Sequence, residues 1–420
     1  MSVAAAVVGL ALMLVSCGGA GDRVAVPGVP RPTSTTTTDV FTPIEPTLNT
    51  SDVPATTALD PTTTAPATTS TTSTTSTTLP IELDVTPVLD DTTNAQPPPV
   101  ITVPIASIPV DEPADPSFGA TAAAFERLAR NNSAASISVA RGGELVYSNA
   151  AGTTIDGAAA TADSPMVVAS ISKLMVAVGI ARLDEAGLID IAEPVPLDDV
   201  GLTPNAAWNT VTVRDLLDHR SGLAKARTSW FTGQGTCRNY VPFLLASAPE
   251  AHRGEWVYSN GNYCLLGLLI EQRTQLALDE GIQQLVFDPV DIDGIHLTDG
   301  GLLPGDVAYA PGVERLSRLG GAGTLVVSTD DLATVIGRLT PADRAVLQPP
   351  SVFLDQYGIG HTGTVDGAKS CVWLLDGGAT VVAATIAGNS LRTGGTVCDL
   401  VVPAVASDLG INQGEPERWP

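Results

Sequence analysis

From about Arg31 to Pro113 the chain is built mainly of Thr, Pro, Ser and Ala, most plainly in Thr68-Thr-Ser-Thr-Thr-Ser-Thr-Thr-Ser-Thr-Thr-Leu79-Pro80. Such a composition cannot bury enough apolar surface to offset the entropy lost on ordering, and its prolines keep it extended. It predicts a stalk or spacer, and it confines any packed core to the residues that follow. Of the 420 residues, roughly three hundred remain for folding, which suits one sizeable domain.

Ahead of the stalk, residues 3–16 form an apolar run too short to span a bilayer comfortably, and residues 1–16 read as a secretion signal. No Lys or Arg precedes the run. Leu14-Val15-Ser16-Cys17 followed by Gly18-Gly19 resembles the bacterial lipobox, and that resemblance implies a lipidated Cys17 as the first residue of the mature protein. The expected organisation is a lipid-anchored stalk over 17–113, a folded domain over 114–410 and a tail over 411–420, held at the outer face of the cytoplasmic membrane in the cell envelope. A formal charge of −24 with only 21 Lys and Arg would repel phosphate, which argues against a nucleic-acid partner and leaves neutral or small molecules.

The domain begins with a helical pattern over Asp115 to Asn131, then two alternating runs, Ser136–Arg141 and Glu144–Asn149, across Gly142-Gly143, a hairpin signal. Thr212-Val-Arg-Asp215 is a capping box that starts a helix over Val213 to His219. Late in the chain the apolar runs Ser370–Leu375 and Ala379–Ile386 flank Asp376-Gly-Gly as a second hairpin, and a closing helix runs from about Val397 to Leu409. Strands at both ends with helices between predict an α+β fold with one sheet assembled from distant segments.

Candidate chemistry starts at Met166–Gly187, an apolar run entering a helix that Gly187 stops. Ser170 and Lys173 are three apart and share a face, near the positive end of the helix dipole. A serine nucleophile needs a base, and a lysine serves as one only if burial lowers its pKa from roughly 10.4; Val167, Val168, Leu174 and Val178 are placed to bury it. Tyr258-Ser-Asn260 precedes Gly261 and an apolar helix, and offers a phenol for proton relay and an amide to hold a substrate. His361-Thr362-Gly363 begins the late strand system, where a glycine-flanked edge can present N–H groups to an oxyanion. Tyr147-Ser-Asn149 repeats the second triplet inside a strand, a chance copy. There is no Gly-x-Ser-x-Gly elbow, and His219, His252, His296 and His361 show no zinc spacing, so neither a metal nor a cofactor is expected.

In order and context these motifs resemble the serine β-lactamase and penicillin-binding superfamily, in its class C-like branch, over roughly residues 115 to 408. Neighbouring words agree: Asp184-Glu-Ala-Gly-Leu-Ile-Asp190, Val211-Thr-Val-Arg-Asp-Leu-Leu-Asp-His219-Arg-Ser-Gly-Leu223 and Gly358-Ile-Gly-His-Thr-Gly-Thr-Val-Asp-Gly367. The resemblance implies a β-lactamase/transpeptidase-like fold, an antiparallel sheet flanked by helices plus an all-α subdomain. It also implies Ser170 as acylated nucleophile, Lys173 as its proton partner, Tyr258 as the phenol serving acylation and leaving-group departure, and Asn260 as holder of the substrate amide. The N–H groups of Ser170 and Thr364 would form the oxyanion hole, with Gly363 on the same edge. His361 and Thr362 would face a substrate carboxylate, and His219 and Ser221 would be structural. Arg220 departs from the small polar residue usual at its place. His361 stands where β-lactamases usually carry Lys, a form this family uses mainly in peptidases and esterase-like members, and its charge would change near pH 6.5.

Five cysteines in a secreted chain fit a lipidated Cys17 plus two disulfides. Of three pairings, Cys237 with Cys264 and Cys371 with Cys398 each close a short local loop and are favoured, the first bracing the Tyr258 loop; free buried thiols are the other reading. Residues 224 to 255, with Trp230, Phe231 and the nearby Trp256, are expected to line one wall. The function so indicated is an envelope serine hydrolase acting through an acyl-enzyme on a small peptide or ester, such as a D-amino-acid wall peptide. A non-catalytic module binding wall peptides or penicillin, and a small-ester or lipid esterase, are the alternatives. Deleting Thr33 to Pro80 should leave turnover and melting temperature unchanged, since that segment has no means of packing a core; a clear fall in either, measured on the two proteins side by side, would show that it docks.

Overall fold

Gly142 and Gly143 both take positive φ, 57° and 83°, as a two-residue hairpin turn requires, and the runs on either side pair as antiparallel strands. The computed structural model describes residues 117–224, 236–246, 248–249, 253–298, 301–310, 319–388 and 396–411. All of them fall within one unit, Gln96–Pro420. The expected leader, Cys17, the stalk, Trp230, Phe231, His252 and the tail past Ile411 lie outside the described residues.

Helix α1 (Gly119–Asn131) leads into β1 (Ala134–Arg141) and β2 (Glu144–Ala151), then β3 (Met166–Val167) and α2 (Ser172–Glu185). Helices α3 (Val213–Leu217), α4 (Cys237–Ala246), α5 (Asn260–Thr274) and α6 (Leu278–Ile282) follow. The short strands β4 (His296–Leu297) and β5 (Leu325–Val327) come next, then α7 (Thr329–Gly337) and α8 (Pro341–Val346). The described chain closes with β6 (Phe353–Asp355), β7 (Gly358–Val365), β8 (Ala368–Leu375), β9 (Thr380–Ala387) and α9 (Cys398–Asp408).

The larger sheet runs β2-β1-β9-β8-β7-β6 and every pairing in it is antiparallel. Its alternation sorts side chains between two cores, as a period of two demands. Ile137, Val139, Cys371, Trp373, Val382 and Ala384 join one cluster, with residues of α1 and α9; Ala140, Val372, Leu374, Val381 and Ala383 join the other, with α2 and α5. Because β8 and β9 are buried on both faces, they read as continuous apolar runs. On the α7 side, Ser136 and Ser138 meet the Thr329 hydroxyl at 2.6 and 2.8 Å.

Helix α1 starts at Gly119 rather than Asp115. Its first turn is capped from the far end of the chain: the Asp408 carboxylate accepts the N–H groups of Ala120 and Thr121 at 3.0 and 2.7 Å. A cap supplied by a residue nearly three hundred positions away leaves no local signal. The sheet is also accompanied by a second one, β3-β5-β4, whose strands of two or three residues are too short to show a period.

Both favoured disulfides are present, Cys237–Cys264 joining α4 to α5 and Cys371–Cys398 joining β8 to α9, each closing a separation of 27 residues; a loop of that size is stabilised by about 3 kcal/mol. Helix α2 is buried on all sides from Ser172 to Leu183, the mark of a core helix. Its Arg182 forms a two-pronged pair with Asp343 of α8, Nε to Oδ1 at 3.1 Å and Nη2 to Oδ2 at 3.0 Å, and also donates to the Leu285 carbonyl. Asp343 in turn accepts the Thr340 N–H in the capping box of α8. Asp343→Ala would leave a guanidinium in the core without its counter-charge, so a denaturant melt should show a loss of about 3–5 kcal/mol.

Candidate active site

The nucleophile position is built by a turn that the neighbouring strands hold. Ala169, fully buried, takes φ 50°, a left-handed conformation that a non-glycine residue adopts only when its surroundings impose it. Three contacts do so here. The Val168 N–H donates to the Leu325 carbonyl at 3.1 Å, the Ser370 hydroxyl donates to the Val168 carbonyl at 2.5 Å, and the Ser172 hydroxyl donates to the Ala169 carbonyl at 2.7 Å while accepting the Leu325 N–H. Gly363 is the fourth element: a Cβ there would lie 2.0 Å from Ser370 Oγ and 2.3 Å from the Val168 oxygen. Only glycine lets β7 come this close to the turn. Ser170 then sits on a 3-10 turn, Ala169–Ile171, at the mouth of α2.

Around Ser170 Oγ stand two proton-carrying groups. Lys173 Nζ is 3.2 Å away and the Tyr258 hydroxyl 3.1 Å away. Lys173 is only 1% exposed. Its ammonium also donates to the Ala322 carbonyl at 2.5 Å, with the rings of Tyr258 and Tyr263 at 5.0 and 5.8 Å from Nζ. Burial pulls its pKa below the ordinary 10.5, and Tyr258 opposes that in part, which makes the amine form more accessible. Val167, Val168, Leu174 and Val178 are all buried as expected. Asn260 opens α5, where the Ser259 side chain caps the helix by accepting the Gly261 N–H. Its Oδ1 is buried and has no hydrogen-bond partner among the described residues.

A sequence model of the beta-lactamase family matches residues 121–368. The chain belongs to the beta-lactamase family. Among its relatives are penicillin-binding protein 4* of Bacillus subtilis, 28% identical over 177 residues, 39% of this chain and 38% of that one. The D-aminopeptidase of Brucella ovis is 26% identical over 333 residues, 67% of this chain and 60% of that one. The chain thus spans about two fifths of the length of the Bacillus subtilis relatives, 38% and 44%. The D-amino acid amidase from Ochrobactrum anthropi, in complex with L-phenylalanine amide, superposes with a TM-score of 0.58 at 18% identity, over 69% of this chain and 99% of that one. The octameric penicillin-binding protein homologue from Pyrococcus abyssi gives 0.57 at 18% identity, over 70% and 77%. These structures share the beta-lactamase fold.

Along β7 of this beta-lactamase-family sheet, alternation puts His361 and Gly363 on the side of the Ser170 turn, while Thr362 and Thr364 lean the other way. Thr362 is half-buried and neighbours His361 along the strand. Strand β6 pairs only with Gly358–Gly360, so from His361 to Val365 the edge of β7 away from β8 has no strand partner among the described residues. Thr364 is exposed on that stretch.

His361 differs from its expected behaviour. It is buried, its Nδ1–H donates to the Thr362 carbonyl at 2.7 Å, and the Phe353 ring lies 4.9 Å from it. Burial first, and the Lys173 ammonium second, push its pKa down to about 3, so it stays neutral through pH 6.5. The remaining candidates fall outside the chemistry. Arg220 is exposed, and its backbone bonds to Asp215 and Gly254. His296 pairs with the buried Asp306 at 2.9 Å. Trp256 is half-buried and donates to the Pro350 carbonyl at 3.0 Å. Tyr147 lies on the outer strand β2, and no group of three or more His, Cys, Asp or Glu among the described residues could hold a metal. Sequence reasoning missed the Ala322 carbonyl, Ser172 and Ser370. A backbone acceptor carries no residue-type signal, and lone serines carry little.

The burial of His361 sets a pH dependence with a definite sign. The unfolded chain takes up a proton at this side chain near 6.5 and the folded one only near 3, so stability falls as pH drops through that window. His361→Gln removes the effect. In melts compared at matched pH, the variant should gain on the parent by about 1.4 kcal/mol for each pH unit between 6.5 and 3.

Proposed function

We propose that this chain is a serine hydrolase of the class C-like branch that acylates Ser170 with an amide or ester, its natural substrate being a D-amino-acid amide or short peptide of the cell-wall type. The observation that carries this reading is the placement of Ser170 Oγ 3.2 Å from a buried lysine amine and 3.1 Å from a phenol. The names of two relatives, a D-aminopeptidase and a D-amino acid amidase, support the substrate class. A neutral His361 in place of a cation supports an amide or ester over a substrate gripped through its carboxylate.

In this mechanism, Lys173 in its amine form takes the Ser170 proton as Oγ bonds to the acyl carbon. The carbonyl oxygen becomes an oxyanion held by the N–H groups of Ser170 and Thr364, while the Asn260 side chain holds the amide of the acyl part. Tyr258 gives its proton to the departing amine or alcohol and recovers one from Lys173. Water then cleaves the acyl-enzyme by the reverse relay. The lipobox-like Cys17 and the Thr/Pro-rich stalk support a site of action in the cell envelope, on the outer face of the cytoplasmic membrane.

Labelling with a fluorophosphonate or a fluorescent penicillin tests the acyl-enzyme directly. The parent protein should be labelled and Ser170→Ala should not. Lys173→Ala should abolish labelling with the fold intact, and Tyr258→Phe should slow it by about two to four orders of magnitude. Parental labelling of Lys173→Ala would rule the mechanism out. Turnover of D-amino-acid amides against simple esters then separates a peptidase or amidase from an esterase.

A further inference from the structure

His219 lies behind the site and touches none of the reacting atoms, yet it holds the chain on both sides of Tyr258. Its carbonyl accepts the Val257 N–H at 2.9 Å. Its ring Nδ1 lies 3.2 Å from the Ser259 N–H and 3.0 Å from the Asn262 side-chain amide. With two donors converging on Nδ1, that nitrogen is the acceptor and the proton sits on Nε2. Nε2 has no hydrogen-bond partner among the described residues; the ring is enclosed by those of Tyr258, Tyr263 and Trp256, at centroid distances of 4.5, 5.2 and 6.2 Å.

The network continues outward without a gap. Asn262 Oδ1 accepts the Ser221 hydroxyl at 2.6 Å, and Ser221 Oγ accepts the Leu223 N–H at 3.1 Å. The Ser259 hydroxyl donates to the Ala224 carbonyl at 2.8 Å. His219, Ser221, Ser259 and Asn262 are each at most 1% exposed, so none can exchange its partner for water. His219 itself takes a left-handed φ of 56°, a strained choice for histidine that turns its ring and its carbonyl toward the same short segment.

We propose that His219 is a positioning residue for Tyr258: by accepting the N–H groups before and after that tyrosine, it fixes the phenol oxygen at its distance from Ser170 Oγ. The inference rests on the acyl-enzyme reading above and adds a residue to it. This role differs from that of a filler of core volume, because it needs an acceptor at the Nδ1 position and a residue tolerant of positive φ. Asparagine supplies both, since its Oδ1 falls near the place of Nδ1 and it enters the left-handed region readily. Glutamine keeps more of the bulk but moves the acceptor.

The test compares His219→Asn with His219→Gln, each with and without Tyr258→Phe, by the rate of Ser170 labelling with a fluorophosphonate. His219→Asn should stay within ~3-fold of the parent and His219→Gln should fall ~100-fold, the effect of a misplaced catalytic group. In the Asn background Tyr258→Phe should still cost its full factor, and in the Gln background little more than ~3-fold, because the hydroxyl is already out of place. Should the Gln protein not fold, Ser221→Ala carries the test by freeing Asn262, with labelling expected to slow ~10-fold. Parental labelling of His219→Gln, or of Ser221→Ala where it stands in, overturns the inference, as does an equal cost of Tyr258→Phe in both backgrounds. An unlabelled parent protein overturns the acyl-enzyme reading and this inference with it.

Discussion

An amine held out of water beside a serine is the constraint on which the rest of the structure turns. Lys173 is buried, and the effects acting on its pKa are its loss of solvent and the neighbouring Tyr258, with no carboxylate among them. A lysine so placed is costly to keep charged, and the fold meets that cost with a carbonyl at Ala322 and two aromatic rings instead of an acid. An acid would neutralise the charge and raise the pKa. The arrangement that lowers stability is the one that makes the amine available as a base.

Keeping that amine in place requires several distant segments to meet. Helix α2 carries Lys173 into the core with Ser170 on the turn before it, and its far end is fixed by the Arg182–Asp343 pair. The turn before it is held by β5, β7 and β8, and Tyr258 arrives on a separate loop that leads into α5, the helix joined to α4 by a disulfide. Each support comes from a part of the chain remote in sequence.

Much of this was legible in the residues. The hairpin glycines, the Thr212–Asp215 capping box, the continuous apolar strands and the spacing of Ser170 and Lys173 are local patterns with local physical causes, and each appears in the structure at its expected place. What could not be read is tertiary. The start of α1 depends on Asp408, the small sheet rests on strands too short to show a period, and the burial of His361 depends on Phe353 and on the turn that β7 meets.

The Asp408 cap on α1 has a mechanical side. Whatever force reaches the domain through the chain before Gly119 enters at the first turn of α1, where the carboxylate of α9 grips three donors. From α9 it passes through Cys398 into Cys371 on β8. That path runs on the sheet face packed against α1 and α9 until it reaches Cys371, whose neighbour Ser370 turns the other way and holds the Val168 carbonyl, so a pull on α1 arrives one residue from the contact that fixes the catalytic turn.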